Sequence, residues 1–187
     1  MTKIAVVYHS GYGNTGVQAE AVACGAKKVE GAEVTLLNSE EAQNWELLAD
    51  ADAIIFGSPT YMGSASAQFK AFMDASSKVW YTRDWKDKIA AGFTTSASQS
   101  GDKLNTLIQL EVFAAQHGMI WVGQDLMPGN NSSTGSVNDL NRLGGFLGAM
   151  AQANSDQGSE LAPIASDLLT AEHLGERVAT IAKRLNA

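Results

Sequence analysis

Residues 3–16 read KIAVVYHSGYGNTG, and this stretch decides the fold. It opens as an unbroken apolar run, Ile4 to Tyr8, of the kind expected in a strand covered on both faces. It then changes abruptly to Ser10, Gly11, Tyr12, Gly13, Asn14, Thr15 and Gly16. Glycines let the chain turn sharply and bring its backbone close to a ligand. Ser10, Asn14 and Thr15 add hydrogen-bonding side chains. A helical pattern over residues 15–30 follows directly, with Ala19, Val22, Ala26 and Val29 at helical spacing and Gly31 as a stop. Free N–H groups at that helix start would face the loop, which makes it a place for a phosphate. An ordinary glycine-rich turn between a strand and a helix would carry the same residues.

Working outward, Ala32 to Leu37 reads as a second strand, and Asn38 to Glu41 as the cap of a helix running to about Asp50. Ala53 to Phe56 is a third buried strand, ending in the loop Gly57-Ser58-Pro59-Thr60-Tyr61-Met62-Gly63. Tyr61 and Met62 either fold back onto the core or form the wall for a flat ring. Ser64 to Ser77 suits a helix, and residues 78–87 gather Trp80, Tyr81 and Trp85 in a polar connection. That connection reads as a packed loop, a subunit contact or a lid over a ligand. Lys88 to Phe93 is a fourth strand, followed by the small, mostly hydroxylic run Thr94 to Gly101, suited to lying against a ligand edge. A helix over 102–117 ends at His117-Gly118, where a histidine commonly caps. Met119 to Val122 is a fifth strand, and the last helix begins at Thr170. Residues 123–169 between them read as an irregular insertion, partly helical at Asn141 to Gln152.

Strands alternating with helices predict an α/β fold, a single domain over 1–187 with a parallel five-stranded sheet. In a doubly wound sheet of order 2-1-3-4-5, ligands bind beyond the carboxyl ends of the strands at the switch point. The three unusual loops follow the first, third and fourth strands, whose ends are neighbours in that order.

Composition narrows the function classes. Twenty acidic against 13 basic residues give a net charge of −7, which argues against nucleic acid and anionic membranes as partners. The single Cys24 excludes an internal disulfide and a paired-cysteine metal site, and reads as an unremarkable helix residue. The three histidines, His9, His117 and His173, lack metal-ligand spacing, so no metal is expected. No apolar leader and no run long enough to span a bilayer are visible, so a cytoplasmic protein without membrane insertion is expected.

The loops also carry a resemblance. SGYGNTG is similar to the phosphate loop of flavodoxins. GSPTYMG with SAQFKAFMD, TTSASQSGD and AAQHGM together resemble the WrbA-like NAD(P)H:quinone oxidoreductases of the flavodoxin-like FMN reductase group. The resemblance spans about residues 3–122 and, loosely, the last helix. It implies FMN as cofactor, NADH or NADPH as co-substrate, a quinone or similar small acceptor, and a homodimer or homotetramer. It places Ser10, Tyr12, Gly13, Asn14 and Thr15 on the FMN phosphate. Pro59, Thr60, Tyr61, Met62 and Gly63 would lie along the isoalloxazine ring, and Thr95, Ser96, Ala97, Ser98, Gln99 and Gly101 at its other edge. Trp80 and Tyr12 would stand on the substrate side, and His117 would reach the flavin of a neighbouring subunit. The alternative it leaves is a flavodoxin-like electron carrier. Such carriers usually place an aromatic residue in the third loop, and Thr94 to Gly101 has none.

Overall fold

The computed structural model describes residues 1–185. Its central sheet is parallel and runs in the order β2 (Ala32–Asn38), β1 (Thr2–Tyr8), β3 (Ala53–Tyr61), β5 (Ile89–Ser96), β6 (Ile120–Trp121). This is the predicted 2-1-3-4-5 order. A two-residue strand, β4 (Ser64–Ala65), folds back antiparallel on the end of β3.

Alternation along the strands divides the core. Ile4, Val6, Ala53 and Ile55 face α1 (Asn14–Lys27) and α6 (Ala165–Leu185). Ala5, Val7, Ile54 and Phe56 face the other layer, formed by α2 (Trp45–Asp50), α3 (Ala67–Ala75), α4 (Ser77–Thr82) and α5 (Lys103–Gln116). Because side chains point alternately up and down, an unbroken apolar run supplies both layers at once. The second layer is aromatic, with Trp85 at its centre, fully buried and surrounded by Phe56, Phe72, Phe113 and Trp45. No helix of the described residues is long and apolar enough to cross a membrane.

Several expectations change. β3 runs on through Pro59, Thr60 and Tyr61, and β5 through Thr94, Thr95 and Ser96, so much of the two expected loops is strand. The reason is mutual satisfaction of the hydroxyls: Thr60 Oγ1 lies 2.8 Å from both Thr94 Oγ1 and Thr106 Oγ1, all buried. Ser64 and Ala65 form β4 instead of opening the third helix, whose start is capped by Ser66 through its bond from Phe69 N–H, 3.2 Å. The connection at 78–87 contains helix α4.

The insertion differs most. Asn141 to Gln152 is not helical: it turns at Gly144 and ends as β7 (Ala149–Gln152). β7 pairs with Phe93–Ser96 of β5, while β6 pairs with Ile89–Ala90. One lane of the sheet is thus shared by two short strands, with residues 122–148 an excursion between them. The last helix starts at Ala165, earlier than expected.

Candidate functional site

A cavity of about 690 Å³ opens at the carboxyl ends of β1, β3 and β5. That volume is in the range of small-molecule and cofactor sites. Its lining brings together Tyr12, Asn14 and Thr15 from the first loop, Pro59, Thr60 and Tyr61 from the end of β3, and Thr95, Ser96 and Ala97 from the end of β5.

The first loop is shaped as a donor cradle. Gly13 has φ +91°, a backbone that side chains rarely adopt, and a Cβ there would meet Ser159 Oγ at 2.9 Å. Ser10 Oγ accepts the Gly16 N–H at 2.9 Å, and the Gly13 carbonyl accepts the Val17 N–H at 3.1 Å. The backbone N–H groups of Tyr12, Gly13, Asn14 and Thr15 have no protein acceptor among the described residues. These are the orphan donors of a helix start, where the backbone favours an anion. Asn14 contributes its backbone, because its side chain is committed to the Ala162 carbonyl at 2.9 Å. Thr15 is buried, and its hydroxyl has no protein partner among the described residues.

Tyr61 joins the first two loops. Its ring meets Tyr12 edge-on at 6.1 Å, and its hydroxyl lies against Gly11. Burial pushes its phenol above the ordinary value, so it stays protonated at neutral pH. Met62 and Gly63 form the hairpin tip, both with positive φ. Met62 is fully exposed and outside the cavity lining, so within one chain it is not a ring wall. Behind the cavity floor, buried Gln18 accepts from Thr95 Oγ1 at 2.6 Å and donates to the Ala149 carbonyl at 3.2 Å, locking α1 to β5 and β7. His9 is a buried structural residue, bonded to Ser66 Oγ at 2.8 Å and kept neutral by desolvation.

Ser98, Gln99 and Gly101 stand beyond the lining, in the turn that follows Ala97. A fourth wall was not anticipated: Ala153, Asn154, Ser155, Asp156, Gln157 and Gly158, which follow β7. The signal in the sequence is the short apolar run Ala149-Met150-Ala151 giving way to the small polar residues Asn154 to Gly158, as the end of β5 gives way to Ser98 to Gly101. Among the described lining residues only Asp156 is charged.

Two expected site residues lie elsewhere. Trp80 sits on α4, and His117 ends α5 where that helix reaches the amino ends of the strands, opposite the cavity. His117 is 2% exposed, packed on Trp85 and Phe113, with Nε2 2.9 Å from Ser76 Oγ. A ring so enclosed cannot reach a neighbouring subunit. Burial, with nearby Arg83, lowers its pKa from 6.5 to about 4. The folded state therefore refuses a proton that the unfolded chain accepts, and stability falls as pH drops from 6.5 towards 4. We expect an acid loss of about 2–3 kcal/mol from this group. Urea unfolding across pH 7 to 4 should show it in the native chain and not in His117→Gln.

The model of the NADPH-dependent FMN reductase family matches residues 29–132. The flavodoxin FldP of Pseudomonas aeruginosa is 44% identical over the whole of both chains. An NAD(P)H dehydrogenase (quinone) of Archaeoglobus fulgidus is 35% identical, over 99% of this chain and 100% of that protein. A crystal structure of a flavodoxin, WrbA-like protein from Agrobacterium tumefaciens superposes with a TM-score of 0.74 at 42% identity, over 98% of this chain and 99% of that one. With a switch-point cavity on a flavodoxin-like sheet and relatives that align end to end, the chain belongs to the WrbA-like, flavodoxin-fold branch of the NADPH-dependent FMN reductase family.

Proposed function

We propose that the chain is an FMN-dependent oxidoreductase that passes two electrons from NAD(P)H to a quinone or similar small acceptor. The observation that carries this reading is the donor cradle at residues 12–15, opening into the cavity beneath Tyr61 and Ala97. Its four free N–H groups and the Thr15 hydroxyl suit a phosphate, with no lysine or arginine in the lining among the described residues. Tyr12, Gly13, Asn14 and Thr15 would hold that phosphate, and Ser10 would hold the loop in shape. Pro59, Thr60 and Tyr61 would lie along the ring, with Met62 and Gly63 turning the chain beyond it. Thr95, Ser96 and Ala97 would meet its far edge, and Ser98, Gln99 and Gly101 would extend that edge. The flavin, when bound, accepts hydride and gives up electrons, and the protein supplies binding, orientation and tuning. The chemistry resides on the flavin, so no acid–base pair or nucleophile of the protein is needed.

An assembly can restore a role for Trp80. Trp80 and Tyr81 form an exposed aromatic pair on α4. A homodimer or homotetramer that sets this edge against a neighbour's cavity would place Trp80 on the substrate side. Sedimentation of the loaded protein tests this, with a monomer as the opposing result.

A second reading, an FMN electron carrier serving protein partners, is favoured by the 44% identity to a flavodoxin. One experiment separates them. Protein loaded with FMN and gel-filtered is mixed, without oxygen, with NADH or NADPH, and the flavin absorbance is followed. Rapid bleaching, reversed by a quinone, is the expected result. Flavin that stays oxidised with both nucleotides would favour the carrier. Protein that retains no flavin would remove both readings.

A further inference from the structure

The third loop is held from behind by a buried lysine that no part of the proposed reaction requires. Lys103, the first residue of α5, is 1% exposed. Its Nζ donates to Ser96 Oγ at 2.7 Å and to the carbonyls of Ser98 and Gln99, each at 2.8 Å. The neighbouring carbonyls are tied back as well. Ser96 accepts the Ala153 N–H at 3.1 Å, Ala97 accepts Gln152 Nε2 at 3.1 Å, and Ser100 accepts the Lys103 N–H at 3.2 Å. Every carbonyl from Ser96 to Ser100 is therefore engaged by the protein. The N–H groups of Ala97, Ser98, Gln99 and Ser100 donate to nothing among the described residues. Successive free N–H groups in such a turn form a concavity for negative charge.

Gln152 is itself fixed. Arg142 Nη1 donates to its Oε1 at 3.3 Å, and its backbone N–H bonds Asp167 Oδ2 at 2.9 Å. Arg142 and Asp167 form a bidentate buried pair at 2.8 and 2.7 Å. The loop is thus clamped on one side by Lys103 and on the other by Gln152. An apolar residue would fill Lys103's place without a buried charge, and a lone cation there is costly unless its hydrogen bonds are complete.

We propose that Lys103 is a positioning residue: its ammonium draws the carbonyls of Ser98 and Gln99 away from the cavity, leaving N–H groups and a buried positive charge that favour the reduced, negatively charged form of the flavin over the oxidised form. This rests on the FMN reading above. The charged groups facing the ammonium are Asp167 from α6 and Arg142 from the excursion before β7, while β5 and the loop itself offer only hydroxyls and carbonyls. Burial lowers the Lys103 pKa from 10.5 to about 8, against the pull of Asp167 and with the push of Arg142. A neutral amine has two protons for three acceptors, so the clamp weakens as the pH rises past about 8.

The test compares native protein with Lys103→Met and Lys103→Arg. Affinities for oxidised and reduced FMN give the two-electron potential of each. We expect Lys103→Met to lower the reduced-to-oxidised affinity ratio about tenfold, which for two electrons is about 30 mV towards negative potential. Lys103→Arg should keep most of the native value, and the gap between native and Met proteins should narrow between about pH 8 and pH 9.5. Equal potentials in native and Met proteins would overturn the proposal. A second readout needs no flavin: subtilisin cutting within residues 96–101 of the FMN-free chain, normalised to a peptide substrate at each pH. Cutting should rise several-fold in Lys103→Met, and in native protein as the pH passes about 8. Unchanged cutting would overturn the clamp. If native protein binds no FMN, the functional reading falls and the cutting alone decides whether Lys103 holds the loop. If Lys103→Met does not fold, Lys103→Gln takes its place in both measurements.

Discussion

Gly175→Val is expected to lower the melting temperature by at least about 6–12 °C, and Gly25→Val to do the same. The two glycines are where α1 and α6 touch backbone to backbone. A Cβ on Gly175 would sit 1.9 Å from the Val22 carbonyl oxygen, and one on Gly25 would sit 1.7 Å from the Glu172 carbonyl oxygen. These are main-chain atoms of the facing helix, so no rotamer change relieves the clash and the helices must part. Parting them opens a face on which Ala19, Val22, Ala26, Ala171, Leu174, Val178 and Ala179 are all buried. Overpacking a core residue typically costs about 1–3 kcal/mol. With two spines to separate we expect more than about 3 kcal/mol, at roughly 2–4 °C per kcal/mol for a chain of this size. The alanine variants should fall between native and valine. A melt unchanged in all four would mean that the helices yield freely at this contact. The effect reaches the site as well, because α1 carries the Asn14 and Thr15 N–H groups at its other end.

These glycines show how far the sequence could be read. Within a helical pattern a glycine is a weak point of about 1 kcal/mol relative to alanine, so Gly25 and Gly175 stand out as costs without visible return. Their return lies in a partner helix about 150 residues away in the chain, which periodicity does not pair. The parallel sheet was legible because Ile4–Tyr8 and Ala53–Phe56 are apolar on both sides, and only a doubly covered strand tolerates that. The strand ends were not. Thr60, Thr94 and Thr95 look like loop residues until each hydroxyl is seen to have a buried partner. The sequence also supported two views of His117. As a cap ending a helix it stands where helix physics puts it, while the flavin contact implied by resemblance meets a ring closed in by Trp85 and Phe113. Lys103 was invisible for the opposite reason. A lysine opening a helix normally points to solvent, and only the assembled turn supplies the acceptors that let it turn inward.

Thr15→Val should weaken FMN binding by about 10- to 100-fold while leaving the FMN-free protein as stable as before. Valine keeps the β-branched shape of threonine and removes only the hydroxyl. In the free protein that hydroxyl has no partner among the described residues, so its loss leaves nothing behind unsatisfied. With phosphate in the cradle it becomes a donor to an anion, a class of hydrogen bond that contributes about 1.5–3 kcal/mol. Asn14→Ala is the informative contrast. Its side chain ties the first loop to the Ala162 carbonyl and does not face the cavity as a free donor. It should lower the stability of the free protein by about 1 kcal/mol and weaken FMN only through a looser loop. Flavin fluorescence titration and thermal melts of both variants, with and without FMN, separate the two roles. If Thr15→Val binds FMN as native protein does, the phosphate does not sit at the start of α1, and the cradle at residues 12–15 serves some other anion. If Thr15→Val instead melts early without flavin, the hydroxyl has a structural partner in the free protein and its effect on binding is indirect.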